Sequence, residues 1–278
     1  MSHERESTSE TGAIAVTGSK GGVGKSHLAA NVGVALARRG RRVVLVDGDL
    51  GLANLDVLLG VTPERTVEDL VGGSASVADL LVEGPAGVRL LPAASGVPAL
   101  ARLDEVRRRR LLAALAEAGR TSDHLLIDTG AGLGPTALAL LLGSARIVLV
   151  TTVEPTSLVD AYATLKVVLK ADPSKPVDIV VNAHDGNDEV ERAYRQIVLA
   201  TERFLGRTPG LLGAVPRDER VPEAVRRQRP VVELYPESPA ARAYEAIAMR
   251  LVSPPEAGVT VEARWGSSGA ASPKEVVH

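Results

Sequence analysis

The sequence predicts an α/β protein in which a mostly parallel central sheet is flanked by helices on both faces. Short Val/Leu/Ile runs alternate with longer segments of helical period, the order expected when each strand returns through a covering helix. Most of the short runs are continuously apolar rather than alternating, as parallel strands buried on both faces are. Aromatic residues make up 2% of the 278 residues against 45% hydrophobic content, so the core is built from Ala, Leu and Val. That composition suits helices packed on a Val-rich sheet better than an aromatic-rich sandwich.

Taken in order, the first strand is expected at 13–17, followed by a glycine-rich loop and a helix over 26–39. In that helix Leu28, Val32, Ala35 and Leu36 share a face, and Arg38, Arg39 and then Gly40 form a cationic last turn and a glycine stop. Further strands are expected at 43–47, 88–91, 125–128, 147–152, 177–182 and 211–215. Pro155 opens a helix in which Leu158, Val159, Tyr162, Leu165 and Leu169 recur at helical spacing. Other helices are expected at 104–118, 187–205, 219–228 and 240–252. Residues 1–12 are polar and read as a disordered tail. Residues 253–278 are rich in Pro, Gly, Ser and Ala and read as a flexible one, which leaves a single domain over 13–252.

The chemistry available is bounded by what is absent. With no cysteine there can be no disulfide, thiolate iron-sulfur cluster, cysteine-ligated zinc or cysteine nucleophile. The net charge of -2 supplies no overall attraction to nucleic acid or anionic membrane. No apolar run approaches the roughly 18 residues of a membrane span, so a cytoplasmic location is expected.

The segment Ser19-Lys20-Gly21-Gly22-Val23-Gly24-Lys25-Ser26 follows a strand and opens a helix, the context in which a phosphate-binding loop works. Its glycines let successive N–H groups turn toward phosphate oxygens, and the following helix adds the positive end of its dipole. Lys25 is the candidate for bridging the β- and γ-phosphates of ATP, and the Ser26 hydroxyl for ligating Mg2+. His27 completes the nucleotide-binding set. Strand 125–128 delivers Asp128, in Asp128-Thr129-Gly130-Ala131-Gly132, as a magnesium-contacting carboxylate followed by glycines free to move. Strand 43–47 ends in Asp47-Gly48-Asp49, where carboxylates at the C-terminal end of a parallel strand face a bound nucleotide.

The loop departs from the usual pattern in having Ser19 at the first glycine position and a second lysine, Lys20, before Gly21. In this it resembles the deviant Walker A motif of the ParA/MinD superfamily, P-loop NTPases of the SIMIBI class. The resemblance implies an ATPase that dimerises on ATP, with Lys20 reaching the phosphates of the partner's nucleotide and Asp49 positioning the attacking water near the magnesium, supported by Asp47. It also places Asn182, Pro216 and Asp218 around the adenine. An asparagine amide suits that task because it offers a donor and an acceptor together.

Later motifs, Gly51-Leu52-Ala53-Asn54-Leu55-Asp56, Arg203-Phe204-Leu205-Gly206 and Tyr235-Pro236-Glu237-Ser238-Pro239, are most similar to the FlhG (YlxH) branch, which controls flagellar number and placement. That branch implies the SRP-type GTPase FlhF or another flagellar regulator as partner, and attachment at the inner face of the plasma membrane. Two departures stand against the transfer. The first twelve positions carry no D-Q-A-x-x-L-R motif, and 256–278 has no apolar stripe with a basic face, leaving Trp265 as a lone membrane candidate. The run 107–110 of four arginines invites a DNA-binding reading, as in chromosome-partitioning relatives. Because Leu111, Leu112 and Leu115 define the buried side of that helix, a solvated surface is favoured over DNA. A partition ATPase on nucleoid DNA, a nucleotide-gated scaffold with little turnover and a biosynthetic ligase remain as alternatives.

Overall fold

The computed structural model describes residues 12–18, 20–49, 52–94, 103–130 and 132–252. The expectations for Ser19, for 253–278 and for all but the last residue of 1–12 lie outside them. Eight strands form one sheet: β1 (Ile14–Gly18), β2 (Val43–Gly48), β3 (Val82–Glu83), β4 (Arg89–Leu91), β5 (His124–Thr129), β6 (Arg146–Thr152), β7 (Val177–His184) and β8 (Gly210–Pro216). Their order is β3-β4-β2-β5-β1-β6-β7-β8. Every ladder is parallel except β3 with β4. The seven expected strands are all present. β3 is an addition of two residues, too short to show any period in the sequence.

The helices are α1 (Lys25–Ala37), α2 (Leu55–Leu59), α3 (Val67–Gly72), α4 (Val77–Leu80), α5 (Glu105–Arg120), α6 (Pro135–Gly143), α7 (Pro155–Ala171), α8 (Asn187–Leu205), α9 (Arg220–Arg226), α10 (Val231–Leu234) and α11 (Pro239–Val252). All six expected helices are found. The shorter α2, α3, α4, α6 and α10 were not expected, because they run for nine residues or fewer and show no sustained period. Two of them, α3 and α4, carry a local signal: Thr66 with Asp69 and Ser76 with Asp79 form capping boxes, in which Asp69 Oδ2 accepts the Thr66 N–H at 3.0 Å and Asp79 Oδ2 accepts the Ser76 N–H at 2.9 Å.

Burial explains why these segments fold as they do. β1 and β2 are buried throughout, consistent with their unbroken apolar runs. α1 is almost wholly buried between the sheet and α11, and a side chain at Gly33 would come within 2.8 Å of the Leu45 side chain, so glycine there lets the helix lie close on β2. On the opposite face Val44, Val46, Leu125 and Ile127 pack under α3 and α5. Leu149, Ile179 and Val181 pack under α7 and α8.

The arginine run on α5 is partly paired within its own neighbourhood. Asp104 caps the helix by accepting the Arg107 N–H at 2.8 Å, and Arg108 and Arg109 both pair with Glu105. Arg110 donates to the Val71 carbonyl at 3.0 Å, closing the end of α3. These contacts account for the run as a structured helical surface.

Candidate functional site

β2, β5 and β1 lie side by side, so the loops leaving their C-terminal ends share one rim of the sheet. From β1 the chain turns through Gly22 (φ 81°) and Gly24 (φ 95°) before entering α1. Gly24 stands at the N-cap without a side-chain cap, leaving the first N–H groups of α1 free for an anion. Lys25 and Ser26 open the helix and are both 7% exposed. Asn182, from the end of β7, donates through Nδ2 to the Val23 carbonyl at 2.8 Å. A side chain at Gly24 would lie 2.1 Å from that same nitrogen, so the asparagine packs on the loop because the loop has none there.

Three carboxylates surround this turn. Asp47 and Asp128 are register partners on β2 and β5. Asp47 Oδ1 accepts the Asp49 N–H at 3.1 Å, and Oδ2 accepts those of Asn54 at 2.9 Å and Leu55 at 3.0 Å. It therefore ties the loop carrying Asp49 to the start of α2. Burial raises its pKa to about 6, with the three N–H bonds pulling the other way. Asp128 is fully buried, and neither of its oxygens has a hydrogen-bond partner. Burial raises it further, to about 7; Lys25 lowers it, Asp47 raises it, and the nearby Ser26 hydroxyl lowers it without reaching hydrogen-bonding geometry. Asp49 Oδ2 lies 3.8 Å from Lys25 Nζ. The same carboxylate packs on Gly130, where a side chain would approach Oδ1 to 3.1 Å.

Lys20 points away from this cluster. Its Nζ donates to Glu154 Oε2 at 2.8 Å and to Thr156 Oγ1 at 3.2 Å, both at the entrance to α7. The hydrogen bond and charge of Lys20 hold the Glu154 carboxyl below its usual range.

Ser26, Asp49 and Asp128 offer only oxygen donors, the set a hard divalent cation such as Mg2+ takes. Among the described residues no group of three or more His, Cys, Asp or Glu side chains forms a ready-made metal cage. A magnesium site completed by phosphate and water needs none.

Residues 14–231 match the family model described as the CobQ/CobB/MinD/ParA nucleotide binding domain. The chain belongs to this family. Over 242 residues it is 40% identical to the antiactivator FleN of Pseudomonas aeruginosa, covering 87% of this chain and 86% of that protein. It is 31% identical to the flagellum site-determining protein YlxH of Helicobacter pylori, covering 88% of this chain and 83% of that one. Among solved structures, the septum site-determining protein MinD of Pyrococcus horikoshii, complexed with Mg-ADP, superposes with a TM-score of 0.75 at 29% identity, covering 87% of this chain and 96% of that one. The sheet and its flanking helices are those of a MinD/ParA-type P-loop protein.

Within the MinD/ParA frame, the positions expected around the base are spread over several tasks. Pro216 ends β8 opposite His184, and the next N–H, from Arg217, reaches the His184 carbonyl at 2.9 Å. The Asp218 carboxylate accepts the Arg220 N–H at 2.9 Å and the Ala240 N–H at 3.0 Å, joining the starts of α9 and α11. His27 lines a small gap with Leu58, Val221 and Pro230, and burial lowers its pKa, favouring the neutral ring. Sequence reasoning missed Glu154 and Thr156. The available signal was Glu154-Pro155-Thr156, a strand end running into a proline-initiated helix on the rim that holds the phosphate loop.

Proposed function

We propose that this chain is an ATP-binding and ATP-hydrolysing switch that pairs with a second copy of itself when ATP is bound, and that its cellular task is to set the number or placement of flagella. The observation that carries the reading is Asp128: a fully buried carboxylate with both oxygens unpartnered, beside Lys25 and Ser26 at the foot of a phosphate loop. A buried charge in that state is costly unless a cation compensates it, so the residues fit a magnesium ion. Ser26, Asp49 and Asp128 would hold it, directly or through water. When bound, Mg2+ supplies charge neutralisation across the phosphates.

The protein's own groups have separate tasks in this scheme. Gly21, Gly22, Val23 and Gly24 present backbone N–H groups to the phosphates, and Lys25 exchanges Asp49 for a phosphate oxygen. Asp49, so released, orients the attacking water and accepts its proton. Asp47 keeps the Asp49 loop in place. Lys20 leaves Glu154 and completes the partner's site, where such a charge is worth about 10³ to 10⁵ in rate. Residues 13–252 act as a single ATPase domain, with Asn182, Pro216 and Asp218 bordering the base.

The flagellar assignment is supported by the similarity to YlxH and FleN. A cytoplasmic protein that works at the inner face of the membrane, with FlhF or another flagellar regulator as partner, fits the same reading. No helix among the described residues is long and apolar enough to cross a membrane. Size-exclusion chromatography of Asp49→Ala with ATP and magnesium should give a trapped dimer. A nucleotide-loaded monomer would reject the switch. Deletion in the source organism should change flagellar number or position, and an unchanged count would reject the cellular task alone.

A further inference from the structure

At the end of the sheet opposite the phosphate loop, a cavity of about 720 Å³ opens between α5, α6 and β5. Leu115, Leu125 and Leu140, each no more than 5% exposed, line its interior. Ala116 and Ala145 line its exposed side and are too short to close it. Arg120, in the last turn of α5, adds a cation. Its volume falls in the range of sites that take a small apolar ligand or an inserted side chain.

The chain itself carries a segment that suits this cavity. α11 ends at the same end of the sheet, where Arg146 Nη1 donates to the Leu251 carbonyl at 3.1 Å, and Arg146 directly follows Ala145. Beyond α11 the sequence reads Val259-Thr260-Val261-Glu262-Ala263-Arg264-Trp265. In an extended chain that alternation puts Val259, Val261, Ala263 and Trp265 on one side, and Thr260, Glu262 and Arg264 on the other. The stretch 253–265 spans up to roughly 40 Å when extended, ample to round the sheet edge. Gly12 lines the cavity, but the eleven residues before it in the sequence hold no large apolar side chain other than Met1.

We infer that the cavity is the intramolecular dock of the C-terminal segment, with Trp265 inserted between α5 and α6. This goes beyond the nucleotide chemistry and does not depend on it. The dock would hold α5 and α6 together at one end of β5, the strand whose other end carries Asp128.

Trp265 is the only tryptophan in the chain, so intrinsic fluorescence reports its surroundings without a label. In the full-length protein the emission should be blue-shifted, and acrylamide quenching several-fold weaker, relative to the same protein unfolded in guanidinium. Ala116→Arg fills the mouth from an exposed position. It should return both readings to the unfolded values while circular dichroism stays that of the folded protein. Folded protein whose tryptophan already matches the unfolded state overturns the inference. So does protection that survives both Ala116→Arg and Ala145→Arg, which would seat the tail elsewhere. Protection that rises with protein concentration would assign the dock to another chain's tail and equally overturn it.

Discussion

Lys20 Nζ lies 2.8 Å from Glu154 Oε2, so the lysine that precedes the phosphate loop is held in its own subunit, at the entrance to α7. If Lys20 must cross to a second copy, this pair competes with dimerisation. The lysine and glutamate side chains are 35% and 63% exposed, so the competition is shallow. Glu154→Gln is expected to strengthen ATP-dependent self-association by about two- to fivefold, the range open to an exposed ion pair. Sedimentation velocity across an ATP titration measures it. Weaker association would show that Glu154 prepares Lys20 for its task rather than restraining it. Lys20→Ala should bind ATP with near-normal affinity and lose turnover.

Asp128 predicts an unusual pH dependence for protein free of metal and nucleotide. Its folded pKa, raised to about 7, lies above the ordinary carboxylate value of 3.8, so the folded state binds the proton more tightly than the unfolded chain does. The benefit is complete below the unfolded pKa and is lost as pH rises through the window up to about 7. Asp128→Asn lacks this titration. Relative to the variant, the parent protein should lose stability between about pH 4 and pH 7, by at most about 4 kcal/mol. Urea unfolding of both proteins at several pH values in EDTA tests the sign. A difference that stays constant with pH would show that Asp128 is already compensated.

Much of the frame was legible because burial on both faces writes itself into the chain. Continuous apolar runs such as the one ending at Asp47 could hardly be anything but central strands, and the glycines of the phosphate loop had a strand before them and a helix after. What escaped was set by neighbours distant in sequence. Nothing local to Asn182 reveals that its amide rests on Val23, because the contact exists only once β7 and β1 have taken their places in the sheet. The pairing of Lys20 with Glu154 likewise depends on β6 lying beside β1. The family resemblance gives Asp47 only a supporting role near the nucleotide. Its three N–H partners on the 49–55 loop became visible only in the folded chain.

Asp47 should therefore act through the loop it anchors. Asp47→Ala strips three N–H groups of their acceptor, one of them on the buried Leu55, and is expected to destabilise the fold by about 2–4 kcal/mol. The isosteric Asp47→Asn keeps one acceptor oxygen and should cost less. With Asp49 no longer held, kcat should fall in both variants. ATP affinity, governed by the phosphate loop, should change only a few-fold. Equal losses of affinity and turnover would place Asp47 on the nucleotide itself.

The packing of Asn182 on Gly24 separates two causes that a single substitution would confound. Gly24→Ala faces a left-handed backbone at φ 95° and a collision with Asn182 Nδ2 at 2.1 Å. The first costs of order 1–2 kcal/mol at any L-residue. The second disappears when the asparagine is shortened. Gly24→Ala alone should abolish detectable ATP binding. Asn182→Ala alone should weaken binding about fivefold, since it frees the Val23 carbonyl from its only side-chain donor among the described residues and removes one hydrogen bond of about 1 kcal/mol. The double variant should recover part, but not all, of the binding lost by Gly24→Ala, because relief of the collision leaves the backbone strain. Isothermal titration with ATP and magnesium on all four proteins closes the cycle. Full recovery would mean that the loop can adopt its phosphate-binding shape without glycine at this position. Strict additivity would mean that the asparagine and the loop do not meet when nucleotide is bound.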